Sequence, residues 1–314
     1  CHLPFMEEEL PQNVPFLPDL IVHHEGGTLV TGMEGEFLWL DTDMKPLTEV
    51  ACPHPMRLRQ ASISNGQLYA TWLDRELLLA CMGSMPVGVA EEGKTRAEVR
   101  TSIGTRTMHY PAGTTWAHAL DAEPMALVSE GDSVVFDLYN RGMYKIGTNA
   151  KEHWRVGPPE WGYPKQRPRN EEMVALHLED ETYTITSRGG RVQRRSLESG
   201  ALKEEFLLKG VEAPLEHHFR HANQHLVCTA TGTVYWLEDQ EIKQQVKLSG
   251  PVQSAMWDTE RQGWRIAGWR EEAILSVSLT DRRATKELPI HICAIKGCAH
   301  VLFNDGSWER SPYE

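Results

Sequence analysis

The sequence predicts an all-β fold in which seven four-stranded antiparallel sheets follow one another around a closed ring. Three observations predict it: a recurring strand motif, a spacing between its copies that suits one four-stranded sheet, and a near absence of helical periodicity. The chain has 314 residues, 40% of them hydrophobic and 24% charged, which is the composition of an ordinary globular protein. This length exceeds that of most single domains unless the fold is one large closed β architecture.

The recurring motif is a turn glycine followed by a polar residue, three large strand-forming residues, a leucine and an acid. Residues 35–41 and 232–238 carry it in full. Looser copies complete the series, and the turns that mark all copies lie at residues 35, 75, 142, 190, 232, 271 and 306. The spacings of 40, 67, 48, 42, 39 and 35 residues between these markers are mostly close to one four-stranded repeat, which is about 40–50 residues long.

Short turns rich in Asn, Asp, Gly and Glu separate the strands inside each copy, as tight hairpins require. The fourth copy, for example, predicts strands at residues 173–178, 182–187, 191–197 and 202–208. A short helix is predicted only within residues 91–101. Four strands per copy without intervening helices favour antiparallel sheets over parallel βαβ units.

Tryptophans are expected to fill the wedges between sheets that splay outward from a common axis. Six of the ten tryptophans fall in predicted strands, and a structural role is expected for all six: Trp39, Trp72, Trp236, Trp257, Trp264 and Trp269.

The two ends of the chain predict how the ring closes. The last copy contains only three predicted strands, and residues 3–10 resemble an outer strand. Pairing of this N-terminal strand with the C-terminal strands would complete the last sheet and remove an open edge. A ring of six sheets with an elaborated second copy is the alternative.

With these features the chain resembles the β-propeller superfamily, of the WD40, YVTN and quinoprotein-like kind, over essentially its whole length. The resemblance implies a single β-propeller domain over residues 1–314, with a loop insertion near residues 104–124 at the longest spacing. The Gly-His and Trp-Asp dipeptides typical of WD40 blades are absent. No specific family is therefore identified.

Charge and hydropathy exclude two classes of partner. The net charge of −12 argues against nucleic-acid binding, which needs a basic surface. The longest nearly apolar stretch, residues 77–90, is shorter than the ~20 residues of a membrane-spanning helix. Six scattered cysteines predict reduced thiols in a cytoplasmic protein. Lipid anchoring or secretion through Cys1 is the alternative.

Histidines near the mouth of a central channel are the first candidate metal ligands. In a propeller, the loops that join the outer strand of one blade to the inner strand of the next line this mouth. Imidazoles from separate blades that converge there would hold a divalent metal such as iron, zinc or manganese. The candidate ligands are His54, His118, His217 and His291.

The last hairpin supplies a second candidate metal set, consisting of Cys293, Cys298 and His300 with His291. If Cys293 opposes Cys298 across the hairpin, the alternation of side chains puts all of them on one face. A shift of register by one residue destroys this arrangement. A disulfide between the two cysteines and plain packing of small thiols are the alternatives.

Two long loops, residues 104–124 and 157–170, are the candidate contact surface. They combine aromatic residues with a local group of basic residues, which suits a carboxylate, a phosphate or an acidic peptide. The candidate binding residues are Tyr110, Trp116, Trp161, Tyr163, Lys165, Arg167 and Arg169. A loop packed over the end of its blade is the alternative for residues 157–170.

The sequence contains no nucleophile elbow, phosphate loop, dinucleotide fingerprint or zinc-protease motif. The expected function is therefore a non-catalytic propeller that binds a protein or peptide partner and needs no cofactor. The alternative is a metal-dependent enzyme of lyase, hydrolase or oxygenase type, in which the channel-mouth histidines hold the metal and Arg167 or Arg169 orients an anionic substrate.

Overall fold

A computed structural model describes residues 10–105, 107–163, 171–278 and 280–313. These residues form seven antiparallel sheets, which are the blades of a propeller, and one helix. The predicted seven-bladed β-propeller is confirmed, and the alternative with six blades is wrong.

The strands of the first three blades have the following bounds. Blade 1 consists of β1 (Pro18–His24), β2 (Gly27–Gly32) and β3 (Phe37–Leu40). Blade 2 consists of β4 (Arg57–Ser64), β5 (Gln67–Asp74), β6 (Leu79–Pro86) and β7 (Trp116–Ala119), with helix α1 (Arg96–Gly104) between β6 and β7. Blade 3 consists of β8 (Pro124–Glu130), β9 (Ser133–Leu138), β10 (Gly142–Gly147) and β11 (Glu152–Val156).

The remaining blades follow in chain order. Blade 4 consists of β12 (Met173–Glu179), β13 (Thr182–Ser187), β14 (Arg191–Ser196) and β15 (Leu202–Leu207). Blade 5 consists of β16 (Leu215–His221), β17 (Gln224–Thr229), β18 (Thr233–Glu238) and β19 (Glu241–Lys247). Blade 6 consists of β20 (Ser254–Asp258), β21 (Gly263–Gly268), β22 (Glu271–Ser276) and β23 (Thr280–Ala284). Blade 7 consists of β24 (Pro289–Ile295), β25 (Cys298–Phe303) and β26 (Trp308–Arg310).

Aromatic side chains fill the space between neighbouring blades, as the tryptophan content predicts. Phe37 of blade 1 stacks on Trp72 of blade 2 at a centroid distance of 6.5 Å. Trp257 of blade 6 packs edge-on against Trp236 of blade 5. Trp269 is the exception, because it lies in a turn between β21 and β22 and exposes 48% of its surface.

Contact between blade 7 and blade 1 closes the ring. A buried apolar cluster contains Val30, Leu38 and Leu40 from blade 1 together with Leu302 and Trp308 from blade 7. On the surface, Nζ of Lys296 lies 3.4 Å from Oδ1 of Asp43 across the same junction. The first and last blades are thus neighbours in space.

The N-terminal segment also reaches blade 7. The backbone N–H of Val14 donates to the carbonyl oxygen of Gly306, 2.9 Å away, in the turn before β26. Gly306 has a φ of +83°, and a Cβ built there would lie 2.1 Å from the oxygen of Val14, so this approach requires glycine. The predicted fourth strand of blade 7 involves residues 3–10, of which residues 3–9 lie outside the described part of the chain.

The longest repeat spacing arises from residues 87–115, which join β6 to β7. Val87 N–H donates to Gly66 O at one face of the ring, whereas Ala112 N–H donates to Pro53 O at the other face. The connection therefore runs along the side of blades 1 and 2. Helix α1 lies within it and begins at a capping box in which Thr95 and Glu98 satisfy each other's backbone N–H groups.

A buried ionic network fixes the C-terminal segment to blade 6. The side chain of Arg265, which is only 4% exposed, donates to Asp258 Oδ2 at 2.7 Å and to Ser311 Oγ at 2.8 Å. Its second terminal nitrogen donates to the carbonyl oxygen of Tyr313. Ser311 Oγ–H in turn donates to Glu272, which is fully buried. One guanidinium thus links blade 6 to the residues that follow blade 7.

We expect Arg265→Ala to lower the free energy of unfolding by about 3–5 kcal/mol, because it leaves the Asp258 carboxylate buried without its main partner. Urea unfolding followed by tryptophan fluorescence measures this change. The matched control is Arg155→Ala, which removes an exposed ion pair with Glu152 and should cost about 1 kcal/mol or less. Equal losses for the two variants would contradict the structural role of the Arg265 network.

Candidate binding site at the channel mouth

The inner strands of six blades each contain a β-bulge close to their first residues. At each bulge the register between the inner strand and its neighbour shifts, and one or two residues of the inner strand are left without a paired residue. These bulged residues are Asp19 with Leu20 in blade 1, Arg59 in blade 2, Met125 in blade 3, Val174 in blade 4, Glu216 in blade 5 and Ile290 in blade 7. Bulges turn side chains away from the regular alternation of a strand. Because all inner strands begin at the same face of the ring, the bulges surround one mouth of the channel, and we call this face the top face.

A cavity of about 480 Å³ lies at the top-face mouth. Residues from four different blades line it, including the bulged residues of blades 1, 2 and 7: Asp19, Leu20, Arg59 and Ile290. His217 of blade 5 and Gln253, which precedes blade 6, complete its wall. The cavity exists only because distant parts of the chain converge there.

The charges around this cavity do not balance. Arg57 forms a two-pronged contact with Asp19, with both nitrogen–oxygen distances at 2.6 Å. Arg75 pairs with Glu123. Arg59 lies beside both pairs but has no hydrogen bond or ion pair with any described residue, and burial lowers the pKa of its guanidinium. Among the described residues, the cavity wall therefore carries one positive charge without a partner, in a protein with a net charge of −12.

Exposed apolar side chains occupy several turns of the top face. The turns between the second and third strands of four blades carry Met33, Leu78, Tyr139 and Trp269, all of them exposed. Leu17, which precedes β1, is 62% exposed and lines the cavity together with Met33. Leu17 and Met33 therefore offer a partner apolar contact area next to the Arg59 charge.

The structure does not bring the four predicted metal-ligating histidines together. His217 lines the mouth, as predicted. His54 is buried, and its Nε2–H donates to the carbonyl oxygen of His109. His118 lies on the outer strand of blade 2, because residues 116–119 pair with β6 instead of forming a loop. His291 is on the inner strand of blade 7, where burial lowers its pKa to about 3.

The register of the last hairpin differs from the one expected for the second metal set, and Cys298 and His300 are not grouped with His291 and Cys293 among the described residues. Lys296 and Gly297 form the turn, so Cys298 opposes Ile295 and Cys293 opposes His300. Cys293 is a free thiol, which excludes a disulfide between the two cysteines in this structure. Two members of the set, Cys293 and His291, do lie close together, and a third ligand joins them: His23 of blade 1.

Three of the four predicted contact residues that the structure describes are buried or half-buried. Trp161 is 1% exposed and packs in the core between blades 3 and 4, so its predicted exposure is wrong. The hydroxyl of Tyr163 is 2.9 Å from Ser187 Oγ and accepts the backbone N–H of Arg191, which anchors it to blade 4.

The other predicted contact residues differ in position. Trp116 lies in β7 and bridges to blade 3, where its Nε1–H donates to Thr148 O. Tyr110 in the residue 87–115 connection is exposed. Lys165, Arg167 and Arg169 lie outside the described residues.

A larger cavity, about 1250 Å³, opens on the opposite face between blades 3, 4 and 5. Two of its basic groups, Arg220 and Arg194, pair with the same carboxylate, Glu179. Three histidines beneath it are also satisfied internally: His218 Nε2 lies 2.9 Å from His225 Nδ1, and His177 Nε2–H donates to the carbonyl oxygen of His218. Five carboxylates and three basic side chains line this cavity, so its excess charge is negative, opposite in sign to the charge of Arg59.

Comparison with solved structures supports the architecture. The Cps50 (Swd1) β-propeller domain of Myceliophteria thermophila aligns with a TM-score of 0.68 and 8% identity over 96% of this chain and 98% of that chain. The WD40 propeller domain of Doa1 aligns with a TM-score of 0.63 and 10% identity over 97% and 95%. BamB from Moraxella catarrhalis gives 0.58 and 11% over 96% and 98%. Likeness at such low identity shows the fold alone.

No protein-family model and no curated protein matches the chain. Within the described ranges, no helix is long and apolar enough to cross a membrane.

Asp137 in blade 3 is a strongly perturbed carboxyl group away from the channel mouth. It is buried, and its Oδ1 has no hydrogen-bond partner among the described residues. Burial raises its pKa to about 8. The carboxyl therefore stays protonated in the folded protein at pH values where it is ionised in the unfolded chain.

We expect the stability of the wild type, relative to Asp137→Asn, to fall as the pH rises from about 4 to about 8. Above about pH 4 the carboxyl ionises in the unfolded chain but stays protonated in the folded protein until about pH 8, so ionisation favours the unfolded state over this range. Urea unfolding of both proteins across this pH range measures the difference. Asp121→Asn, an exposed site paired with Arg141, is the control. A difference between wild type and Asp137→Asn that does not change with pH would contradict this assignment.

Proposed function

We propose that this protein is a non-catalytic propeller that binds a protein or peptide partner on its top face. In this proposal a carboxylate side chain of the partner enters the channel mouth and pairs with Arg59. The unpaired guanidinium in a cavity is the observation that carries the proposal.

The chemistry of Arg59 favours a carboxylate as its partner. A guanidinium presents its N–H donors in a planar fork that matches the two oxygens of a carboxylate. Arg57 already binds Asp19 in this way at the same mouth. Arg59 is exposed at the cavity and has no ion-pair partner among the described residues, so a partner's carboxylate can reach it and form an ion pair that the free protein lacks.

The surroundings of the cavity favour a polypeptide over a small free acid. The exposed side chains of Leu17 and Met33 border Arg59, and further apolar turn residues lie around the same face. Recognition surfaces commonly combine such an apolar contact area with a few charged anchors. A peptide that places an acidic residue between apolar ones would use both features.

The overall charge restricts the partner further. Because the whole molecule carries a net charge of −12, its long-range field favours partners that are not strongly acidic. The local positive charge of Arg59 then selects one carboxylate at short range. An isolated acid in an otherwise neutral or basic segment fits both conditions.

We expect peptides selected against the immobilised protein from a displayed random library to share an acidic residue flanked by apolar ones. Synthetic peptides from this selection should bind Arg59→Ala about thirtyfold more weakly or worse, since truncating one partner of a desolvated charge pair costs about 2–5 kcal/mol. Replacing the acid of the peptide by its amide should have a similar effect. Isothermal titration calorimetry measures both changes.

Arg155→Ala is the matched control, because it removes an exposed arginine on an outer strand far from the mouth. It should leave peptide affinity unchanged. The proposal fails if the selected peptides carry no common acid, or if Arg59→Ala binds them as well as the wild type does.

A further inference from the structure

Two histidines from opposite ends of the chain face each other in the channel wall where blade 7 meets blade 1. The Nε2 atoms of His23 on β1 and His291 on β24 lie 2.7 Å apart. The sulfur of Cys293, two residues further along β24, completes a group whose three donor atoms lie within 4.8 Å of one another. Within the described ranges, no other three His, Cys, Asp or Glu side chains group this closely.

A hydroxyl group forms a hydrogen bond with the Nδ1 atom of each imidazole ring. Nδ1 of His23 lies 2.8 Å from Oγ1 of Thr28, and Nδ1 of His291 lies 3.2 Å from Oγ of Ser254. Thr28 and Ser254 are both buried. Metal-ligating histidines are commonly oriented in this way, through a hydrogen bond from the nitrogen that does not bind the metal. These hydrogen bonds orient the two rings so that their Nε2 atoms face each other.

The two imidazole rings can carry their protons in two arrangements. Without a cation, one proton must lie between the two Nε2 atoms, because two lone pairs repel each other at hydrogen-bonding distance. If each ring instead carries its proton on Nδ1, both rings donate to the hydroxyl oxygens behind them, and both Nε2 lone pairs become available to one cation. Since a hydroxyl is both donor and acceptor, Ser254 and Thr28 satisfy either arrangement without moving.

We propose that His23, His291 and Cys293 form a Zn²⁺ site that joins blade 7 to blade 1. Two imidazole nitrogens and a thiolate are ligands that zinc prefers over hard cations such as Mg²⁺ and Ca²⁺. Three protein ligands leave one tetrahedral position open, and His23 is exposed towards the channel. Water or an exogenous anion would occupy that position.

The site needs only a small adjustment to accept the metal. Zinc–nitrogen bonds of about 2.0–2.1 Å in a tetrahedral arrangement place two ligand nitrogens about 3.3 Å apart. The two Nε2 atoms must therefore separate by roughly 0.6 Å from the observed 2.7 Å. His23 is exposed and can make this movement, whereas Cys293 is buried in the apolar cluster at the junction of blades 7 and 1.

Zinc binding by the full chain, purified without a polyhistidine tag and stripped with a chelator, tests the proposal. Inductively coupled plasma mass spectrometry after dialysis against Zn²⁺ gives the stoichiometry, and competition with a chromophoric chelator gives the affinity. Co²⁺ in place of Zn²⁺ reports thiolate ligation through its sulfur-to-metal charge-transfer band. We expect one tightly bound Zn²⁺ per chain and a Co²⁺ spectrum that contains this band.

Variants assign the ligands. His23→Ala, at an exposed position that should fold normally, should weaken Zn²⁺ binding by more than about a hundredfold, and Cys293→Ser should abolish the charge-transfer band. Ser254→Ala removes only the hydroxyl behind His291 and should weaken binding about 10–100-fold. Cys298→Ser, in the same hairpin but outside the group, and His153→Ala, an exposed histidine of blade 3, should bind Zn²⁺ like the wild type.

A further readout is the melting temperature, because a metal that bridges two blades stabilises the folded state by mass action. Zn²⁺ should raise the melting temperature of the wild type and of Cys298→Ser but not that of His23→Ala. The proposal is overturned if the wild type binds no Zn²⁺, if His23→Ala binds it as tightly as the wild type, or if the Co²⁺ spectrum shows no thiolate band.

Discussion

The contact between blade 7 and blade 1 is the interaction on which both candidate sites depend. The channel-mouth cavity takes Asp19 from one end of the chain and Ile290 from the other. The histidine pair joins residues 268 positions apart in the sequence. The apolar cluster at this junction contains fully buried side chains, each of which contributes about 1.5–3 kcal/mol relative to exposure. A ring left open at this point would have neither the cavity nor the pair.

Apolar and polar residues occupy different positions in this ring and stabilise it differently. Large apolar side chains fill the space between blades, while the innermost strands carry polar groups that bond to the next blade. Gln60, for example, donates its side-chain N–H to the carbonyl oxygen of Met125, the bulged residue of blade 3. Hydrogen bonds of this kind satisfy several polar groups of the inner strands, and the bulges direct others, such as Arg59, towards the mouth.

The repeat spacing and turn residues were enough to predict the number of blades and the position of most strands, because hairpin geometry depends on local sequence. The sites were harder to predict, because they depend on pairing between distant segments. His118 was assigned to a loop, but residues 116–119 pair with β6, and this pairing turns His118 away from the channel. His23 carries no local signal of its role, which arises only when the ring closes. The bulge that presents Arg59 is likewise a matter of strand register, which the sequence of β4 alone does not specify.

Zero-length cross-linking tests ring closure most directly. A carbodiimide couples an amine to a carboxylate only when the two are in contact, and Lys296 of blade 7 lies 3.4 Å from Asp43 of blade 1. Mass spectrometry of the digested monomer should identify an amide bond between these two side chains, along with the internal control link between Lys243 and Glu238 of blade 5 at 2.9 Å. Formation of the control link without any Lys296–Asp43 link would contradict a closed seven-bladed ring.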